Sequence, residues 1–145
     1  MSTVNILCCN KTKLFMTPGF KFDPSEPGLR KTLKEYEELA LRYIWEVGEA
    51  GANSGETWRN VSKRLKEGRT ISRASIIFYL NRMVDQGVLG FRDATGKGGH
   101  HKVYYPLMDE KGYLKYLLKT MVESMMRDFP DETQDFLKEY SKLHV

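Results

Sequence analysis

The stretch TISRASIIFYLNRMVDQGVLGF, residues 70–91, decides the fold. Ser72 stands where a helix N-cap belongs, because its short side chain can accept a hydrogen bond from an otherwise unpaired backbone N–H of the first turn. From there Ile76, Leu80, Met83 and Val84 recur at helical spacing, which predicts one core-facing stripe on a helix running to about Gln86. Gly87 fits the C′ position that ends such a helix. With that stripe inward, the outer side carries Ser75, Tyr79, Arg82 and Gln86, and Arg73 lies in the first turn.

Working outward, KTLKEYEELALRYIWEVGEA over residues 31–50 reads as a helix with Leu33, Tyr36, Ala40, Tyr43, Ile44 and Val47 buried. GANSGE interrupts the pattern, and Asn53 or Ser54 can cap a second helix over 55–67. Trp58, Val61 and Leu65 would face inward there, and Arg59, Lys63, Arg64 and Lys66 outward. Downstream, VLGFRDATGKGGHHKVYYP holds two β-prone runs, 88–92 and 101–105, around a glycine-rich turn, the pattern of a hairpin. Residues 109–128 and 131–143 read as two more helices separated by Pro130. On the first of them Tyr113, Leu117, Met121, Val122 and Met125 form an apolar stripe.

Residues 1–29 hold three of the five prolines, which predicts an extended arm with Leu14, Phe15, Phe20 and Phe22 available to pack on the body. The expected organisation is thus an arm at 1–29, a helix–helix–helix–hairpin domain at 30–106 and a helical region at 107–145. The fold class is mainly α with a small β-hairpin (α+β).

Charge is concentrated where that hairpin domain lies. Residues 53–105 carry ten Lys and Arg against four acids, whereas 106–145 carry six against eight and 1–52 seven of each. The net positive charge of the chain, +4, therefore resides in its middle third, as a surface for a polyanion requires. Three helices followed by a hairpin is also the order of a winged helix-turn-helix, whose third helix enters the major groove of double-stranded DNA.

On that reading Ser72 and Arg73 anchor the start of the third helix on phosphates, and Ser75, Tyr79 and Arg82 face the bases. Arg59 and Lys63 add phosphate contacts from the second helix. The hairpin contributes Lys97 at its tip, with Arg92, His100, His101 and Lys102 on its flanks.

The block ISRASIIFYLNRMVDQGVL followed by a basic hairpin ending VYYPL resembles the winged-helix transcriptional regulators, most closely those of the penicillinase-repressor type. The spacing of Glu37, Leu41, Arg42 and Trp45 is similar too, and the resemblance spans residues 33–125. It implies a repressor that binds a palindromic operator as a homodimer, joined by the C-terminal helices, and so gives the stripe of Tyr113, Leu117, Met121, Val122 and Met125 a dimerisation role.

The chain departs from the type in three places. Ile77 and Phe78 replace residues that are usually polar or basic; they either pack inward or meet thymine methyls. The connection after Trp45 is longer. Family repressors inactivated by proteolysis are cut at an Asn-Phe bond, and no such pair exists in this sequence.

Other functions find less support. Cys8 and Cys9 are adjacent with no third ligand, and His100 and His101 alternate across a strand, so no metal site is expected. GKGG lacks the Lys-Ser/Thr ending and following helix of a nucleotide loop. No catalytic set or cofactor is expected, and no small-molecule effector is identified. The absence of a long apolar run predicts a soluble, cytoplasmic protein without membrane contact. The competing reading is a winged-helix module for protein assembly, with Ile77, Phe78 and Tyr79 as an exposed apolar patch.

Overall fold

The computed structural model describes residues 21–144, which fall into two compact units divided between Leu107 and Met108. Leu14, Phe15, Phe20, Cys8 and Cys9 lie outside the described residues. Of the arm's apolar residues that are described, Phe22 is exposed and Leu29, in a short 3-10 turn over Gly28–Lys31, is buried; Leu33, beyond the arm, is buried as expected.

The first unit begins its regular structure with α1, Glu35–Val47. Three acids in its first turn suit the positive end of the helix dipole, and the Glu37 carboxylate accepts the Lys34 backbone N–H at 2.9 Å. A two-residue strand, β1 (Ala52–Asn53), leads into α2, Ser54–Arg64. Asn53 caps α2 reciprocally: its side chain accepts the Glu56 N–H and the Glu56 carboxylate accepts the Asn53 N–H, each at 2.9 Å.

The connection to α3, Arg73–Asp85, is held from the side by the Trp58 indole, which donates to the Ile71 carbonyl at 2.8 Å. Ser72 caps α3 by accepting the Ser75 N–H at 3.1 Å. At the other end Val88 N–H returns to the Met83 carbonyl and Gly87 N–H to Val84, with Gly87 at φ 76°, the left-handed stop that only glycine adopts cheaply.

The hairpin is longer than the β-prone runs suggest. Strand β2 (Leu89–Gly96) pairs antiparallel with β3 (Gly99–Pro106) around a two-residue connection, Lys97-Gly98, and β1 adds to the other edge of β3. The order β1-β3-β2 makes a three-stranded sheet. Sequence reading misses β1 because two residues carry no period. Its register, Ala52 opposite Tyr104, puts Ala52 in the core beside that ring's strand.

That core is Leu41 and Ile44 from α1, Val61 from α2, Ile76, Tyr79, Leu80 and Met83 from α3, then Val88, Leu89 and Tyr104. In α1 the buried positions are 37, 40, 41 and 44; Tyr36, Tyr43 and Val47 are only half-buried.

The second unit is a pair of packed helices, α4 (Glu110–Asp128) and α5 (Pro130–His144), joined through Phe129. Asp109 caps α4 by accepting the Gly112 N–H at 2.7 Å, and Tyr113 stacks on Tyr116 with ring centroids 6.1 Å apart.

Candidate nucleic-acid interface

The third helix is presented by its neighbours rather than by its own sequence alone. At its start the Arg73 guanidinium lies across the first turn of α2, 3.4 Å from Ser54 Oγ and close over Gly55, where a Cβ would come within 3.3 Å of it. Two helix N-termini and one exposed guanidinium thus share a small area, an arrangement suited to a phosphate. Ser75 is half-buried, its hydroxyl 2.9 Å from that of Ser72.

Further along α3 the outward side differs from the one expected. Tyr79 is 1% exposed: positions 76, 79, 80 and 83 fall at i, i+3, i+4 and i+7, and they form the buried stripe without Val84, which is half-buried. The Tyr79 ring meets Tyr36 edge-on at 6.4 Å, so it does not reach bases. Arg82, expected on the same side, bonds instead to Glu37, a buried carboxylate on α1, and lies 5.4 Å over the Tyr79 ring. It clamps α3 to α1.

The side facing outward carries Ala74, Phe78 and Asp85, with Ile77 and Asn81 half-exposed beside them. Phe78 is 74% exposed. The signal that finds this face was present in the sequence, since choosing Tyr79 over Val84 completes the more regular helical period.

The hairpin meets this face through Asn81. Its side-chain oxygen accepts from the Tyr104 hydroxyl at 2.9 Å and from Lys102 Nζ at 3.3 Å. An ammonium can only donate, so the oxygen is fixed toward the hairpin and the amide NH₂ is left to point elsewhere. Lys102 also lies 4.5 Å over the Phe91 ring. The cross-strand pairs Phe91–Tyr104, Asp93–Lys102 and Thr95–His100 put Lys102 and His100 on one sheet face, and Lys97 is exposed at the tip.

Arg92 belongs to the other face, with Val103 and Tyr105. It stacks on the Tyr105 ring at 5.6 Å and donates to the carbonyls of Glu49 and Ala50, which straps the hairpin base to the α1–β1 connection. The structure therefore does not bring Arg92 together with Lys102 and His100. Gly90 makes room for the Tyr105 ring, where a Cβ would stand 2.6 Å from Cζ.

Nor is every cation of the middle third available. Arg64 makes a double hydrogen bond to Glu46 at 2.8 and 2.9 Å, which holds that carboxyl below the usual range, and Arg69 pairs with Glu35. Arg59, Lys63 and Lys97 are exposed and make no ion pair among the described residues.

The second unit exposes an apolar surface of its own. Tyr113 and Leu117, assigned to the dimer stripe, are buried in the single chain and cannot line an interface. Met121 is half-exposed, Val122 and Met125 are exposed, and Leu118, Phe129, Phe136 and Leu143 join them. Between α4 and α5 an open groove of about 560 Å³ is lined by Met121, Val122, Met125, Phe129, Phe136 and Leu137 together with Glu132 and Thr133.

Among the described residues, no group of three or more His, Cys, Asp or Glu side chains is placed to hold a metal ion, and no helix is long and apolar enough to cross a membrane. The family model described as penicillinase repressor matches residues 33–144. No curated protein matches the chain. A solved structure of a candidate transcriptional regulator from Thermoplasma acidophilum is similar, at 16% identity and a TM-score of 0.42, over 69% of this chain and 93% of that one.

Proposed function

We propose that this chain, which belongs to the penicillinase repressor family and hence to a family of DNA-binding transcriptional regulators, is a repressor that binds a palindromic operator as a homodimer. The observation that carries the reading is the convergence of Arg73, the outer face of α3 and Lys102 with His100 around one surface. Helix α3 enters the major groove; Arg59, Lys63 and Arg73 hold phosphates on one side, and Lys97, His100 and Lys102 on the other. Ser72 contributes through its place at the α3 N-terminus.

Two copies join through Leu118, Val122, Met125 and Phe129 of α4 and its end, supported by the extent of apolar surface left open there. Two-fold symmetry then places the two α3 helices in successive turns of one DNA face, about 34 Å apart.

The test is an anisotropy titration of the full chain against promoter DNA and random duplex at two salt concentrations. A promoter-selective complex with two chains per duplex is expected. Arg73→Ala and Lys97→Ala should each lower the salt slope by about 0.9 per protomer. Equal, salt-labile binding to both duplexes refutes the operator reading.

A second reading, a protein-assembly module, draws on the exposure of Phe78. It predicts little DNA affinity and a partner complex that Phe78→Ala abolishes.

A further inference from the structure

The polar groups of α3 are largely spoken for by the protein itself. Ser75 Oγ is engaged with Ser72, Arg82 with Glu37, and Asn81 Oδ1 with both Tyr104 and Lys102. Adenine recognition by asparagine needs the amide oxygen and nitrogen together, so the hold on Oδ1 removes that option and leaves Asn81 as a donor only. What remains on the outer face is the apolar patch of Ala74, Ile77 and Phe78, with the exposed carboxylate of Asp85 about two turns beyond Phe78 at the end of the helix. The exposed cations Arg59, Lys63, Arg73 and Lys97 accompany this apolar patch within the same unit, which favours a polyanion over an apolar protein surface as its occupant. The major groove offers one apolar feature that distinguishes bases, the C5-methyl group of thymine.

We infer that Phe78, flanked by Ala74 and Ile77, determines operator specificity by packing on thymine methyl groups, so that the chain reads thymine by its methyl rather than by hydrogen-bond pattern. This rests on the DNA-binding reading above and adds to it which chemical group is read and by which side chain. Asn81 Nδ2 then serves as a supporting donor to an acceptor edge of the same or the next base pair.

The experiment begins with the duplex that the full-length protein enriches from a random-sequence library. In that duplex each thymine is replaced singly by deoxyuridine, which deletes the methyl and preserves every pairing and hydrogen-bonding group. At one or two positions per half-site affinity should fall about four-fold, the equivalent of one buried methyl. Phe78→Ala should bind the thymine and uracil duplexes equally while keeping the salt slope of the parent; Phe78 is exposed, so the variant is expected to fold.

A selected duplex bound with equal affinity in thymine and uracil forms at every position overturns the inference and leaves the regulator reading standing. Uracil sensitivity that persists undiminished in Phe78→Ala also overturns it, by assigning the methyl to another residue. Failure to enrich any duplex removes both readings, and a protein partner lost in Phe78→Ala would then identify the patch as an assembly surface.

Discussion

Replacing Arg82 by methionine separates holding α3 from reading DNA with it. Methionine keeps an apolar stem beside the Tyr79 ring and removes the guanidinium bonded to Glu37. Glu37 is 4% exposed and would retain only the Lys34 N–H and the longer Tyr36 hydroxyl contact at 3.4 Å. Stripping one partner from a buried charge costs about 3–5 kcal/mol when both groups are buried. The Arg82 side chain is 39% exposed, so water reaches the vacated side and the expected loss is nearer 2 kcal/mol. For a chain of this size that corresponds to about 7 °C in melting temperature.

The assay is thermal and urea unfolding followed by circular dichroism, paired with DNA titrations well below the midpoint of the variant. Stability should fall, with the affinity and salt slope of the folded fraction unchanged. A variant within about 0.5 kcal/mol of the parent in stability, whose salt slope drops by about 0.9 per protomer, would refute the clamp and return Arg82 to the DNA.

The same separation applies to Arg92. Arg92→Ala should lower stability by about 1 kcal/mol through the lost strap to Glu49 and Ala50, with the salt slope retained; titration in parallel with Lys97→Ala checks it. Gly51→Ala should destabilise by about 2–4 kcal/mol in urea unfolding, because Gly51 sits at φ 72°, ψ 174° and a Cβ would stand 2.7 Å from the Tyr104 carbonyl oxygen. Glu46, whose carboxyl is held low chiefly by hydrogen bonds from Arg64, contributes stability above the ordinary carboxylate range that is lost as pH falls through its depressed value. Melting temperatures from about pH 6 down to pH 3 should therefore fall less steeply in Glu46→Gln than in the parent. Leu118→Glu should yield monomers in sedimentation velocity with the melting of the first unit unchanged, since Leu118 is exposed in the single chain.

How much of this was legible in the sequence depends on how each feature is encoded. Caps are local chemistry: Asn53, Ser72 and Gly87 each act on a backbone group three residues away, so a short window of sequence carries the signal, with Ser54 as the alternative to Asn53. Helix order and the hairpin follow from periods, which any window of a few turns displays. On α3 the buried stripe differs from the expected one in a single member: apolarity alone does not rank Tyr79 against Val84, and only the i, i+3, i+4, i+7 spacing favours Tyr79.

The long-range pairs could not be read at all. Arg82 finds Glu37 across 45 residues, and Arg92 finds carbonyls 42 and 43 residues away. Composition registers such arginines only as positive charge. Tyr113 and Leu117 show the same limit for apolar stripes, since a period says which residues share a face and not what covers that face.

On α3, the residues that fix the helix and the residues that face outward are separate sets. Ile76, Tyr79, Leu80, Met83 and Arg82 anchor it, whereas Ala74, Phe78 and Asp85 reach solvent with little role in holding it. Exchanges at the second set typically alter stability by less than about 0.5 kcal/mol. Descendants of this gene are therefore free to try new outward side chains without first acquiring compensating mutations in the core. A protein engineer has the same freedom: a library confined to positions 74, 78 and 85 samples new recognition surfaces on a scaffold that stays folded.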